Sequence, residues 1–252
     1  MGKTVRLDKF LADAGAGTRS EVKKLIQKGQ IQVNGEMVKS PERKVCAEED
    51  VVLLAGKVVG ALPEFEYYML HKPAGCVSAT EDSREKTVME YVPSTRKGLF
   101  PVGRLDKDTE GLLLVTNDGQ LAHDLLSPKK HVEKTYFARV QGIVTEEDAE
   151  QMKKGLDIGD EKETLPAVLE IRTVNRQQEE SEVLLTICEG RFHQVKRMMQ
   201  AVGKTVIYLK RISMGPLSLP EDLKKGECRP LNEKEISDLK NGKNIQNQEE
   251  NL

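Results

Sequence analysis

The sequence predicts an α+β protein in two parts. A small α/β domain covers residues 1–61, a larger domain with a mixed, largely antiparallel sheet covers residues 62–241, and a disordered polar tail covers residues 242–252. Three observations point there. The chain's 252 residues suffice for one large or two smaller domains. Composition turns small and flexible near Gly56–Pro63, as a linker does. Beyond it, candidate strands follow one another without the regular alternation with helices that marks a doubly wound parallel sheet.

Each element has its own signal. Leu7, Phe10, Leu11 and Ala14 recur at i, i+3, i+4 and i+7, the spacing of an amphipathic helix, and Gly15 and Gly17 stop it. Thr18 or Ser20 caps a second helix whose apolar side is Val22, Leu25 and Ile26; Gly29 ends it. Ile31 and Val33 alternate, Asn34-Gly35 is a hairpin turn, and Met37-Val38 resumes the extended chain. Val51–Leu54 reads as a further strand. In the larger domain the candidate strands are Tyr67–His71, Leu112–Thr116, Lys134–Gln141, Ala167–Thr173, Glu182–Cys188 and Thr205–Ile212. Candidate helices are Thr87–Val92, Gln120–Leu126, Glu146–Lys154, His193–Val202 and Glu233–Asn241.

Composition narrows the function. Charged residues make up 32% of the chain and hydrophobic residues 38%, the balance of a soluble polar protein. No apolar run approaches the roughly 20 residues of a membrane helix, and the start lacks a signal-peptide core, so a cytoplasmic location is expected. Cys46, Cys76, Cys188 and Cys228 are too scattered for a disulfide framework or a zinc site, and His71, His123, His131 and His193 lack ligand spacing. There is no P-loop and no GxGxxG after a strand. The net charge of −2 conceals local asymmetry: residues 1–44 carry ten Lys/Arg against five acids, and residues 184–212 carry six against one. It is the local asymmetry that makes an electrostatic footprint for a polyanion.

Four stretches carry chemistry. The first is Gly103-Arg104-Leu105-Asp106-Lys107-Asp108-Thr109-Glu110-Gly111, a charged loop bounded by glycines that runs into the apolar Leu112–Val115. An Asp at the lip of a buried strand is a candidate nucleophile or base; alternatively the loop is a surface turn held by Asx hydrogen bonds. The second stretch runs from Glu189-Gly190-Arg191 to Met199. His193, Lys196, Arg197 and Gln200 share one helical face, while Val195, Met198, Met199 and Val202 face a core. This is the dense positive cluster of the larger domain, and an acid loop needs such a partner, because a neighbouring cation favours the charged form of a carboxylate. The third, Ser127 to Tyr136, offers Lys129, Lys130 and Lys134 for phosphate contact and Tyr136 for stacking or proton movement. The fourth, His71-Lys72-Pro73-Ala74-Gly75, ends a strand in a turn.

In the N-terminal domain, Arg19, Lys23, Lys24 and Lys28 crowd the second helix and its start. The order of helix, basic helix and Asn-Gly hairpin, with Arg6-Leu7-Asp8-Lys9-Phe10-Leu11 and Val33-Asn34-Gly35, resembles the RNA-binding domain named after ribosomal protein S-four. That resemblance implies that Arg6, Arg19, Lys23 and Lys24 contact RNA, where Lys/Arg–phosphate contacts release counterions.

The four stretches, with Leu165-Pro166-Ala167-Val168-Leu169-Glu170 between them, are similar in wording and order to the RsuA class of bacterial ribosomal RNA pseudouridine synthases, over about residues 5–240. The resemblance implies that Asp106 is the catalytic aspartate and that Arg104 takes the space a flipped base leaves. Tyr136 would lie against the uracil. Lys196 would pair with Asp106, with Arg197 as second choice. Lys72 and Gly75 would shape the pocket, and Lys72, Lys129, Lys130, Lys134, Arg191 and Arg197 would stand on the RNA side of the site. The implied reaction detaches uracil from C1′, turns it and rejoins it through C5, with no metal or cofactor. The implied partner is ribosomal RNA or a small-subunit assembly intermediate, with the chain a monomer. Base flipping, at about a few kcal/mol, is part of that reaction. Relatives that act on large-subunit RNA share the motifs, and a non-catalytic assembly factor would keep the same scaffold. A glycoside hydrolase fits poorly: the chain has no Trp and only five Phe and five Tyr to hold a sugar.

Overall fold

A computed structural model describes residues 4–46, 50–59, 65–94, 96 and 98–242. The chain separates into two compact units, Met1–Glu64 and Phe65–Leu252. The expected polar tail lies outside the described residues from position 243 onward.

In the first unit the elements are β1 (Thr4–Arg6), α1 (Leu7–Asp13), α2 (Arg19–Gln27), β2 (Ile31–Val33), β3 (Glu36–Val38), β4 (Lys44–Cys46), β5 (Val52–Leu54) and β6 (Lys57–Val59). Thr18 opens α2 with a reciprocal cap: its hydroxyl accepts from the Glu21 N–H, and the Glu21 carboxylate accepts from the Thr18 N–H. Asn34 and Gly35 turn the β2–β3 hairpin at φ of 52° and 83°, the paired left-handed geometry that an Asn-Gly turn permits. The sheet order is β3-β2-β5-β6. Leu7, Leu11, Val22, Ile26 and Ile31 are fully buried in the unit's own core. One expectation is corrected: residues 57–59 pair with β5 as a strand, so the start of the presumed linker belongs to the domain. Its remainder, 60–63, lies outside the described residues.

The second unit comprises β7 (Tyr67–Lys72), β8 (Phe100–Pro101), β9 (Glu110–Thr116), α3 (Gly119–Leu126), β10 (Lys134–Gln141), α4 (Glu146–Lys154), β11 (Val168–Asn175), β12 (Glu180–Ile187), α5 (Gln194–Ala201), β13 (Thr205–Met214), β14 (Leu217–Ser218), β15 (Cys228–Pro230) and α6 (Glu233–Lys240). The expected helix over 87–92 is a single 3-10 turn, Val88–Tyr91. The sheet runs β11-β12-β10-β13-β9-β7-β15, antiparallel except where β13 and β9 lie parallel. It is a mixed, mostly antiparallel sheet with helices against it, the α+β class.

β9 lies inside the sheet, between β13 and β7, and every residue of it is buried, in keeping with the apolar run Leu112–Val115. Leu113 joins one core with α4 and α5, through Met152, Val195, Met198 and Met199. Leu112 and Leu114 join the other, with Leu121 and Leu125 of α3 and Leu239 of α6. Gly111 is fixed by the parallel pairing. It stands opposite Arg211 at φ 110°, and a Cβ there would lie 2.2 Å from the Arg211 carbonyl oxygen. Only glycine lets the two backbones approach so closely. No helix among the described residues is long and apolar enough to cross a membrane.

Candidate active site

The loop from Gly103 to Thr109 enters β9 with its backbone fastened from several sides. Lys72, at the end of β7, is fully buried. Its ammonium donates to the carbonyls of Asp106 (3.0 Å), Thr109 (2.9 Å), Pro73 (3.0 Å) and Lys107 (3.4 Å). Burial lowers its pKa from the ordinary lysine value, opposed by nearby charged groups including Asp108 and Asp106. A buried ammonium is tolerable only with such a set of acceptors. Lys72 therefore holds the loop and does not face RNA, which corrects its placement among the RNA-side residues. The Gly75 N–H donates to the Lys107 carbonyl at 2.7 Å. The Ser78 hydroxyl donates to the Leu105 carbonyl (2.9 Å) and accepts from the Leu105 N–H (3.1 Å).

So held, Asp106 meets α5. Its Oδ2 lies 3.0 Å from the Lys196 Nζ, and its Oδ1 lies 3.5 Å from His193 Nε2. The two partners of the ion pair are part-buried, with side chains 25% and 27% exposed. α5 presents Lys196 because its other side, Val195, Met198 and Met199, is buried in the core. Lys196 also grips Asp108, at 2.7 and 2.9 Å to the two carboxylate oxygens. Burial works to lower the Lys196 pKa, but the hydrogen bonds it donates to both carboxylates prevail and raise it above its ordinary value. Asp108 is held below the usual carboxylate range, first by that hydrogen bond.

Tyr136, Arg104 and Asp106 line one cleft. Tyr136 is a buried residue of β10 and pairs across the ladder with Arg211 of β13. Arg104 is exposed at the rim. Arg211 is buried in the wall of the adjoining cleft. Its Nε donates to the Leu112 carbonyl at 2.8 Å, and one terminal nitrogen has no partner.

The remaining expected residues divide. Arg197, the second choice for the Asp106 pair, instead donates to the carbonyls of Ile158 and Phe192 and pairs with Asp160. Arg191 likewise turns to Glu189, to Asp160 and to the carbonyls of Lys162 and Glu163. Both pin the 158–163 loop to the start of α5, and Arg191 also lines the Asp106 cleft. Lys134 points inward and donates to the Val132 carbonyl at 2.8 Å; burial, then Arg211, lower its pKa to about 8. It lines the cleft shared with Arg104 and Asp106. Lys129 and Lys130 are exposed on the Pro128–Lys130 turn. In the first unit Arg19, Lys23 and Lys24 are exposed, while Arg6 is engaged by the buried Asp8 at 3.0 and 3.1 Å. Arg211 lines the site though nothing in the sequence singled it out, and Asp108 and His193, noted there only by spacing, were given no role. For Asp108 the signal was its spacing of two from Asp106; for Arg211, a cation within a strand carried none.

Comparison with known proteins decides the family. Residues 66–201 match the family described as RNA pseudouridylate synthase, and residues 5–52 match the S4 domain. The chain belongs to the RNA pseudouridylate synthase family. It is an RNA pseudouridine synthase with an N-terminal S4 domain. It is 46% identical over 234 residues to an uncharacterized RNA pseudouridine synthase, YtzG, of Bacillus subtilis, covering 92% of this chain and 97% of that one. It is 41% identical to ribosomal small subunit pseudouridine synthase A of Escherichia coli K12, covering 93% and 100%. It is 37% identical to ribosomal large subunit pseudouridine synthase B of Bacillus subtilis, covering 93% and 95%. A crystal structure of a pseudouridylate synthase superposes with a TM-score of 0.64 at 39% identity, over 93% of this chain and 99% of that one.

Proposed function

We propose that this synthase isomerises one uridine of small-subunit (16S) ribosomal RNA, with Asp106 as its catalytic aspartate. The observation that carries this reading is the Asp106–Lys196 ion pair, closed at 3.0 Å on the wall of a cleft shared with Tyr136. The bond between C1′ and N1 breaks and one between C1′ and C5 forms; the C5 hydrogen leaves as a proton and N1 gains one, so the sum is an isomerisation. Lys196 keeps the carboxylate charged and placed, Tyr136 lies against the ring and relays a proton, and Arg104 fills the space vacated in the RNA. The partner is ribosomal RNA or an assembly intermediate of the small subunit, met in the cytoplasm by a monomer. Its S4 domain holds the RNA while the other domain extracts the base, because contacts elsewhere must offset the cost of flipping.

The small-subunit assignment draws on the relatives named for that subunit, at 40% identity in Haemophilus influenzae and 41% in Escherichia coli. The 37% identical large-subunit relative supports large-subunit (23S) RNA as the second reading. Mapping pseudouridines in both RNAs, from cells with and without the gene, separates them. A site lost from 16S RNA is expected, and one lost only from 23S RNA favours the alternative. Asp106→Asn is expected to abolish pseudouridine formation while RNA binding falls little; normal turnover by that variant removes Asp106 from its role.

A further inference from the structure

We infer that Phe192 is a stacking platform for a second nucleobase, one that neighbours the extruded uridine, and so a positioning residue for the RNA. The inference rests on the RNA-modifying reading of the Asp106 cleft.

Phe192 is 77% exposed, the most exposed large hydrophobic side chain among the described residues. A single exposed apolar side chain is ordinary in itself; what marks this ring is its place on the wall of the Asp106 cleft. Its place is not accidental to the site. The ring stacks on the His193 imidazole, centroids 3.8 Å apart and planes 20° apart, and that imidazole reaches to 3.5 Å from Asp106. One ring face is thus covered and its direction set, while the exposure leaves the other face to solvent. Phe192 and His193 line the same cleft as Arg104, Asp106 and Tyr136.

The backbone beneath the ring is fixed. Arg197 donates to the Phe192 carbonyl at 3.1 Å, and the Arg191 N–H donates to the Gln194 side chain at 2.9 Å. The first of these bonds gives the Arg197 side chain its inward role: it holds the segment that displays the ring.

Flipping a nucleotide deprives its neighbours of a stacking partner. Arg104 takes the vacated space in the stack, and a rigid aromatic face beside the pocket gives a flanking base that has swung out a new partner, whichever base it is, since every base has a π-face.

The chain contains no tryptophan, so Phe192→Trp creates a single fluorescent reporter. Titrating it with transcribed 16S and 23S ribosomal RNA is expected to quench the indole, and the same quench is expected with Asp106→Asn added, because stacking precedes chemistry. Phe192→Ala is expected to raise KM about five- to hundredfold, with a smaller effect on kcat and no change in Tm; Tyr or Trp at the position restores KM. Wild-type KM in Phe192→Ala, alongside active wild-type enzyme, overturns the inference. So does indole emission that ignores both RNAs. A variant that binds and modifies free RNA normally, yet fails on protein-containing ribosomal particles, overturns it in favour of a protein contact. If the wild-type chain forms no pseudouridine in either RNA or in protein-containing ribosomal particles, the proposed function fails, and the indole titration still decides the platform by itself.

Discussion

Lys196 serves two carboxylates at once, and the arrangement divides their labour. Asp108 is the closer partner, at 2.7 Å, on the outer side with its side chain 73% exposed, while Asp106 lies inward at 3.0 Å. On the proposed reading, the second acid would keep the ammonium oriented when the nucleotide enters beside the first. Replacing Lys196 with Met is expected to lower kcat by about 10²–10³-fold, the scale of a lost preorganised electrostatic partner. Lys196→Arg is expected to retain more activity, and single-turnover rates measured on the variants test the order. Lys134 has the opposite setting, a buried ammonium without an acid. Its pKa falls from 10.5 to about 8 on folding. The unfolded chain therefore holds more protons than the folded one between those values, so this group makes stability rise with pH through that window. Lys134→Met is expected to flatten the rise, and denaturant midpoints at several pH values between the two limits measure it.

At the scale of elements, the site depends on where β9 sits. Gly111 permits the parallel contact with β13, and a methyl group there would press on the Arg211 backbone. Gly111→Ala is expected to cost roughly 3 kcal/mol or more, from overpacking against a backbone that cannot yield and from a strained positive φ. A calorimetric Tm lowered by about 6–12 °C would report it. Much at this scale was legible beforehand. The apolar run of 112–115 announced a strand buried on both sides, Asn34-Gly35 announced a hairpin, and the spacing of Val195, Met198 and Met199 announced the buried side of α5. What stayed hidden was the direction of long cationic side chains. Lys72, Lys134, Arg191 and Arg197 are charged residues beside functional motifs, and nothing local distinguishes one that faces RNA from one that caps carbonyls. That choice is made by partners such as Asp106, Val132, Ile158 and Lys162, which are close only once the sheet is built.

Over the whole molecule, charge is arranged by unit and not by sum. The acids near 160 do not merely balance the basic stretch after 190; Asp160 is bound by Arg191 and Arg197, so part of that positive cluster is neutralised from within. The S4 domain keeps Arg19, Lys23 and Lys24 exposed. Replacing these three with Ala is expected to weaken RNA binding and to reduce the slope of log affinity against log salt by about 2–3. Filter-binding or anisotropy titrations at several salt concentrations measure it, and an unchanged slope contradicts a phosphate role for this helix. Each unit has its own buried core, so the S4 domain has what it needs to fold alone.

The parallel pairing of β9 with β13 has a consequence for synthesis. Glu110 lies beside Lys210, and Arg211 beside Gly111. A nascent chain that has emerged only to residue 200 already carries Asp106 and Lys196, yet it lacks the strand that seats them. On the proposed reading, such a chain would hold RNA through its first domain before it could alter a nucleotide, because chemistry would wait for residues 205–214.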